Sequence, residues 1–282
     1  LPGHSVDGIG VYIVEDEVFF SGRTKLKLTA VDNKSGVKQV NYSVDGGEYK
    51  IYSEPFYLPS VPGIHVVKYF AIDNMENQTE KLGKSYEKYK HVVSRVYVDL
   101  SGPKLSHSFS GKTFKTRDTV FINKETKIKL TAYDEESGLQ NITYSYDGKR
   151  EEIGYEEPFT FNKSGLHTIE YFAYDNVNNR NRDDFMVFLD DKGPIINYQF
   201  SIEPIGKTDG IDIYPDYVTV YLGATDKTIG TENISYSLNG QAVKDYLKHI
   251  TGFKKGSMNT LKIIAIDYLD NSSEMVIQFY VE

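Results

Sequence analysis

Ala30-Val31-Asp32 … Val40-Asn41-Tyr42-Ser43 … Ala71-Ile72-Asp73 is a pattern that the chain writes three times. It returns as Ala132-Tyr133-Asp134 … Ile142-Thr143-Tyr144-Ser145 … Ala173-Tyr174-Asp175, and again as Ala224-Thr225-Asp226 … Ile234-Ser235-Tyr236-Ser237 … Ala265-Ile266-Asp267. The three anchor positions are offset by 102 residues between the first two copies and by 92 between the last two. A unit of roughly 90–100 residues is long enough to bury its own core, so a period of this length means tandem copies of one domain. The expected domains are residues 1–98, 99–189 and 190–282. Such repetition argues against an enzyme, because one active site has little use for three similar scaffolds in series.

Within each copy the periodicity is two. Leu26, Leu28 and Ala30 alternate with Lys25, Lys27 and Thr29, and Ile128, Leu130 and Ala132 alternate with Lys127, Lys129 and Thr131. Alternation of this kind sets one face on a core and the other in water. Val40, Tyr42 and Val44 are expected to point inward and Asn41 and Ser43 outward, with Tyr42, Tyr144 and Tyr236 filling the place of a central core aromatic. Asp45-Gly46, Asp147-Gly148 and Asn239-Gly240 supply the positive φ angles of a tight hairpin. A later strand places Val67, Tyr69 and Ala71 on one face, repeated by Ile169, Tyr171 and Ala173. No segment carries a sustained helical pattern. The fold class is therefore all-β: three tandem Ig-like antiparallel β-sandwiches, arranged as an elongated rod. The joints Val98–Pro103 and Leu189–Pro194 each carry a Gly-Pro pair, and proline leaves few free torsions, so they are expected to be semi-rigid. The polar stretch Lys84–Lys90 has no counterpart in the other copies and reads as an enlarged hairpin loop.

Composition narrows the function. The chain of 282 residues has no cysteine and no tryptophan but 23 Tyr and 15 Phe. Thiolate chemistry, disulfides and cysteine-ligated metals are excluded. The net charge of −8 divides into 0, −3 and −5 over the three expected domains. Without a Lys/Arg stripe, that balance lacks the electrostatic footprint of a nucleic-acid binder. No apolar run reaches the length of a membrane-spanning helix. The chain begins at Leu1-Pro2 rather than Met, which fits a secreted or surface protein that has lost its targeting segment, or a piece excised from a longer one.

The run Asp32-Asn33-Lys34-Ser35-Gly36-Val37 … Tyr42-Ser43-Val44-Asp45-Gly46-Gly47 … Pro55-Phe56 … Gly63-Ile64-His65 … Ala71-Ile72-Asp73-Asn74-Met75-Glu76-Asn77 resembles a bacterial Ig-like repeat family named for a leptospiral outer-membrane protein. The second copy matches through Asp134-Glu135-Glu136-Ser137-Gly138-Leu139, Pro158-Phe159 and Gly165-Leu166-His167. The third is more divergent, with Thr228-Ile229-Gly230 near the Ser-Gly position and Asn259 in place of the histidine. The resemblance implies tandem modules of bacterial surface and secreted proteins with adhesion, spacer or accessory roles. The implied location is extracytoplasmic and the implied partner a host or matrix protein or a glycan. The outward faces are charged and the inward ones apolar, the reverse of a membrane barrel.

Candidate chemistry is sparse. His65 and His167 read as hydrogen-bonded residues near a strand end rather than catalytic bases, because no nucleophile and orienting partner recur beside them. Asp32, Asp134 and Asp226 end one strand of each copy, and Asp73, Asp175 and Asp267 end another. In an Ig-type sandwich those strands run in the same direction, so their ends meet at one pole, where the incoming joint brings Asp99 or Asp190. Asp99, Asp134 and Asp175, with Asp190, Asp226 and Asp267 (and Asp270 beside them), would then offer the oxygen ligands that calcium takes. The alternative is that these carboxylates cap turns, which requires no metal. No other cofactor is implied. Tyr49, Tyr52, Phe70 and Tyr174 form the candidate aromatic binding surface. A structural spacer and an accessory module of a secreted carbohydrate-active enzyme remain the other functional classes.

Overall fold

The computed structural model describes residues 2–7, 10–15, 17–79 and 92–282; the segment Lys84–Lys90 lies outside them. The first repeat runs through β1 (Pro2–Asp7), β2 (Val11–Val14), β3 (Glu17–Ser21), β4 (Lys25–Ala30), β5 (Val37–Val44), β6 (Lys50–Ile51), β7 (Phe56–Tyr57), β8 (Gly63–Asp73) and β9 (Val92–Asp99). One sheet has the order β1-β4-β7 and the other β2-β3-β9-β8-β5-β6. The second repeat comprises β10 (Lys104–Ser110), β11 (Thr113–Lys115), β12 (Val120–Ile122), β13 (Lys127–Tyr133), β14 (Leu139–Tyr146), β15 (Ile153–Gly154), β16 (Gly165–Asp175) and β17 (Arg180–Leu189). Its sheets are β10-β13 and β11-β12-β17-β16-β14-β15. The third follows with β18 (Ile195–Phe200), β19 (Gly206–Thr208), β20 (Ile211–Tyr214), β21 (Val220–Thr225), β22 (Thr231–Leu238), β23 (Lys244–Asp245), β24 (Ser257–Asp267) and β25 (Ser272–Val281), in sheets β18-β21 and β19-β20-β25-β24-β22-β23. The architecture is three tandem β-sandwiches.

The same register builds all three. Tyr42 lies opposite Tyr69, Tyr144 opposite Tyr171 and Tyr236 opposite Ile263, and each pairing slips by one residue at the same place, between Val37/Gln39, Leu139/Asn141 and Thr231/Asn233. The opening segment of each repeat switches sheets. It first pairs antiparallel on the small sheet (β1–β4, β10–β13, β18–β21) and then parallel on the large one (β3–β9, β12–β17, β20–β25). One segment thus gives both sheets a partner strand and leaves less edge open. Each core draws on both sheets; in the second repeat Ile128 and Leu130 from the small sheet meet Ile142, Ile169, Tyr171 and Val187 from the large one.

The hairpin glycines behave as their dipeptides require: Asp45, Asp147 and Asn239 sit at φ 52, 53 and 52°, followed by Gly46, Gly148 and Gly240 at 76, 71 and 74°. Both central residues in the left-handed region make the turn that matches strand twist.

Two parity expectations need correction. The fully buried aromatics are Tyr69 and Tyr171 on β8 and β16, whereas Tyr42, Tyr144 and Tyr236 are only partly buried against the cores. Asn41, Ser43, Ser145 and Ser237, all of outward parity, are buried. The hairpin folds back over its own strand, so that Ser43 Oγ donates to the Gly47 carbonyl at 2.7 Å and Ser237 Oγ to that of Gln241 at 2.5 Å.

Candidate metal centre at the domain joints

The turn that follows β8, β16 and β24 is built around one aspartate. Asp73 Oδ1 accepts from the amides of Met75 and Asn77, and Asp175 Oδ1 from those of Val177 and Asn179. Asp267 Oδ1 accepts in the same way from Leu269 and Asn271. The amide side chains of Asn77, Asn179 and Asn271 close the turn by donating to Oδ2 at 2.9, 2.8 and 2.8 Å. These aspartates are turn caps in all three repeats. Asp32, Asp134 and Asp226 likewise accept backbone amides from the loop after the neighbouring strand.

The joint aspartate changes that arrangement in the second and third repeats. Asp99 is the last residue of β9, yet its side chain serves the next repeat: Oδ2 accepts from the Ser137 amide at 3.0 Å and Oδ1 from the Ser101 amide at 3.1 Å. Asn179 Nδ2 donates to the Asp99 and Ser101 carbonyls, both at 3.1 Å, and Asn271 Nδ2 to the Asp190 carbonyl at 3.1 Å. Two triads result, Asp99–Asp134–Asp175 and Asp190–Asp226–Asp267, each with one carboxylate oxygen per residue, all within 4.8 Å of one another. All six residues singled out from sequence are thus drawn into the joints. Asp270 is not: it sits at φ 65° on the turn, and its Oδ1 accepts from Lys112 Nζ at 3.1 Å.

The first repeat shows what the third carboxylate costs. There the Ser35 hydroxyl lies between Asp32 Oδ2 and Asp73 Oδ2, at 3.0 and 2.8 Å. The Asn77 side chain, with backbone amides and Ser35, holds Asp73 down to about 2. In the second repeat burial, reinforced by Asp99, pushes Asp175 up to about 6. A hydrogen bond to Asp99, together with burial, raises Glu136 to about 7. Glu136 thus adds a fourth carboxyl group beside the first triad, its Oε2 accepting from the Ser101 hydroxyl at 2.9 Å. Ser137 Oγ, buried beside it, has no hydrogen-bond partner. In the third repeat Thr228 stands at the Glu136 position, and burial raises Asp190, with Asp226 and Asp267 adding to the effect.

The joints are packed as well as charged. The residue after the turn asparagine or tyrosine is Met75, Val177 or Leu269. Met75 is 72% exposed, whereas Val177 and Leu269 are 0% exposed. Gly102 and Gly193 lie so close to the next strand that a Cβ would stand 2.8 Å from the Arg180 carbonyl carbon and 2.5 Å from that of Ser272. Asn123 Nδ2 donates to the Leu269 carbonyl at 2.8 Å, and Phe114 stacks on Tyr268 at 5.1 Å, both across the second joint. Arg23 of the first repeat donates to the Asn178 carbonyl of the second.

No protein-family model and no curated protein matches this chain. Solved structures similar to it include fibronectin(III)-like modules of CbhA from Clostridium thermocellum, at 20% identity over 66% of this chain and 94% of that one, with a TM-score of 0.36. A 1.5-MDa bacterial ice-binding adhesin, in a structure concerning host cell surface retention, aligns at 10% identity over 100% and 98% of the two chains, with a TM-score of 0.39. Extracellular cadherin domains 1–4 of protocadherin gamma B7 align at 12% identity over 97% and 76%, with a TM-score of 0.29. These are likenesses of fold. Among the described residues no helix is long and apolar enough to cross a membrane.

The histidines occupy structural positions. His65 Nδ1 faces Asp45 Oδ2 at 2.7 Å and Nε2 faces the Val61 carbonyl at 2.8 Å; His167 sits between Asp147 and Lys163 in the same way. At His65 both partners accept, so both nitrogens donate and the ring is held as imidazolium. Burial opposes that charge at His65, but the Val61 carbonyl and the Asp45 carboxylate outweigh it and raise the pKa. Asp45 is lowered in turn: burial raises it, but the His65 hydrogen bond and charge and the Val66 amide prevail. In the third repeat the pair is exchanged whole, with Asn239 Nδ2 donating to Asn259 Oδ1 at 3.0 Å. The histidine's contribution to stability is full below its unfolded value of 6.5 and is lost as pH rises through the raised folded value. Asp45 adds stability above 3.8 that is lost as pH falls through its lowered value. The double substitution Asp45→Asn/His65→Asn should therefore flatten the first repeat's melting temperature above pH 6.5, where wild type declines; equal slopes in melts from pH ~6 to ~9 would refute the imidazolium assignment.

The aromatic candidates do not form one surface. Tyr49 is exposed and meets Phe70 edge-on at 5.2 Å on the outer face of the first repeat. Tyr52 turns into the core edge against Tyr42 and Phe56. Tyr174 belongs to the second repeat, where its hydroxyl donates to Glu152 at 3.3 Å and Arg180 lies over its ring.

Proposed function

We propose that the chain is a non-catalytic, extracytoplasmic protein of the bacterial surface or secretions, made of domains 1–98, 99–189 and 190–282. It acts in adhesion or ligand presentation through protein or glycan binding. One observation carries this reading: Val177 and Leu269 are buried at the joints while Met75, at the same turn position, is exposed. The turn tips of the second and third repeats are therefore seated in fitted interfaces, and packed joints hold successive domains at set angles, as a ligand-presenting rod requires. Tyr49 with Phe70 is the candidate contact pair, since an exposed tyrosine supplies large contact area at small entropic cost.

The test combines small-angle scattering with glycan and matrix-protein arrays, using the whole chain and Tyr49→Ala. The expected result is an elongated particle with a saturable ligand that Tyr49→Ala weakens about tenfold, the scale of a central aromatic contact. A compact particle would overturn the rod. An elongated particle silent on both arrays would replace ligand presentation by the spacer role.

A further inference from the structure

The second joint buries a carboxylate that its neighbours satisfy only in part. Asp190 is 2% exposed. Its Oδ1 accepts from the Lys192 amide at 3.2 Å, and its Oδ2 is buried without a hydrogen-bond partner. A buried, unpartnered carboxylate oxygen is among the most costly polar defects a fold can carry. Cations are close by but engaged elsewhere. Lys124 pairs with the adjacent Asp191 at 2.9 Å, and Lys112 with Asp270 at 3.1 Å. Among the described residues no Lys or Arg forms an ion pair with Asp190, Asp226 or Asp267. Thr228 stands where the first joint has Glu136, and its hydroxyl lies beside Asp190 without giving Oδ2 a hydrogen bond of good geometry.

We propose that Asp190, Asp226 and Asp267 form a divalent-cation site of the calcium class, with the buried Asp190 Oδ2 as one ligand. The geometry fits: oxygens bound to one calcium at about 2.3–2.6 Å lie no more than about 5.2 Å apart, and the triad's lie within 4.8 Å. Asp267 can ligate without giving up its turn, because Oδ1 caps the Leu269 and Asn271 amides and Oδ2, which accepts from Asn271 Nδ2 at 2.8 Å, keeps a second lone pair. The ligands come from β24, from the loop after β21 and from the joint itself, so an occupied site ties both sheets of the third repeat to the end of the second. This proposal concerns cation binding and stands whether or not the chain presents a ligand.

The experiment is calorimetric titration of the whole chelator-stripped chain with calcium chloride, and separately with magnesium chloride, alongside Asp190→Asn, Asp226→Asn and Asp32→Asn. Wild type should bind calcium with a dissociation constant on the order of 10⁻⁴–10⁻³ M, as extracellular modules do. Asp190→Asn and Asp226→Asn should each lose one equivalent of bound calcium, while Asp32→Asn, in the first repeat, retains the wild-type stoichiometry. In chelator, Asp190→Asn should melt no lower than wild type, because it removes an unpaired charge and keeps the acceptor for Lys192. That separates loss of a ligand from loss of a fold. No calcium binding by wild type, or wild-type stoichiometry in both triad variants, overturns the proposal.

Discussion

Leu269→Asp should open the joint between the second and third repeats, and Val177→Asp the joint before it, while Met75→Asp should leave the first repeat unchanged. The three residues occupy one position of one turn, and only their surroundings differ: 0, 0 and 72% exposure for Leu269, Val177 and Met75. Burying an unpaired carboxylate costs roughly 3–5 kcal/mol, and at Leu269 and Val177 it would sit beside an acidic triad that raises the cost further. A substitution at a well-exposed site falls within about 0.5 kcal/mol of neutral. The penalty cannot exceed the free energy of separating the domains, since the joint can escape it by opening. The readout is therefore proteolysis at Gly102-Pro103 or Gly193-Pro194 and a longer, more variable particle in scattering, with each domain still folded. Equal resistance of Leu269→Asp and Met75→Asp would show that the joints are not load-carrying interfaces.

Tyr171→Ala should unfold the second repeat alone. The side chain is fully buried on β16 against Ile128, Leu130 and Val187. Its hydroxyl donates to Asp183 Oδ2 at 2.9 Å, and the stacked His107–Phe185 pair, 3.8 Å apart, meets its ring edge-on. Truncating a core aromatic to alanine costs about 3–5 kcal/mol, a large part of the roughly 5–15 kcal/mol that holds a domain together. Tyr171→Phe keeps the ring and forfeits a hydrogen bond worth about 1 kcal/mol, so it separates packing from the hydroxyl. In a calorimetric scan Tyr171→Ala should lower one transition and leave those of the outer repeats near their wild-type temperatures. Three transitions moving together would mean that the repeats unfold as one unit.

Much of this molecule is legible in its residues because the relevant physics is local. Period-two alternation in Leu26–Ala30 and Ile128–Ala132 marks half-buried strands, and Asp-Gly or Asn-Gly marks the hairpins. Parallel travel of the strands ending at Asp134 and Asp175 places both carboxylates at the pole the joint enters, and strand direction follows from sandwich topology. What escaped the reading depends on how distant segments meet. Ser43 is buried because a hairpin folds over it. Tyr52 turns inward because Tyr42 and Phe56 form a site for its ring. Tyr174 and Phe70 lie on different repeats and cannot share a face. The exchange of Glu136 for Thr228 was visible in the alignment of the copies, two residues after Asp134 and Asp226. It acquires meaning only when the joint folds back and sets Asp99 against one and Asp190 beside the other.

The sequence by itself determined three β-sandwiches, their hairpins and the gathering of six aspartates at two joints, because alternation, turn chemistry and strand direction are properties of short stretches. The tertiary structure alone decided which of those charges are relieved. Hydrogen bonds and burial depend on the distances between repeats, and those distances leave Asp190 buried with Oδ2 lacking a hydrogen bond.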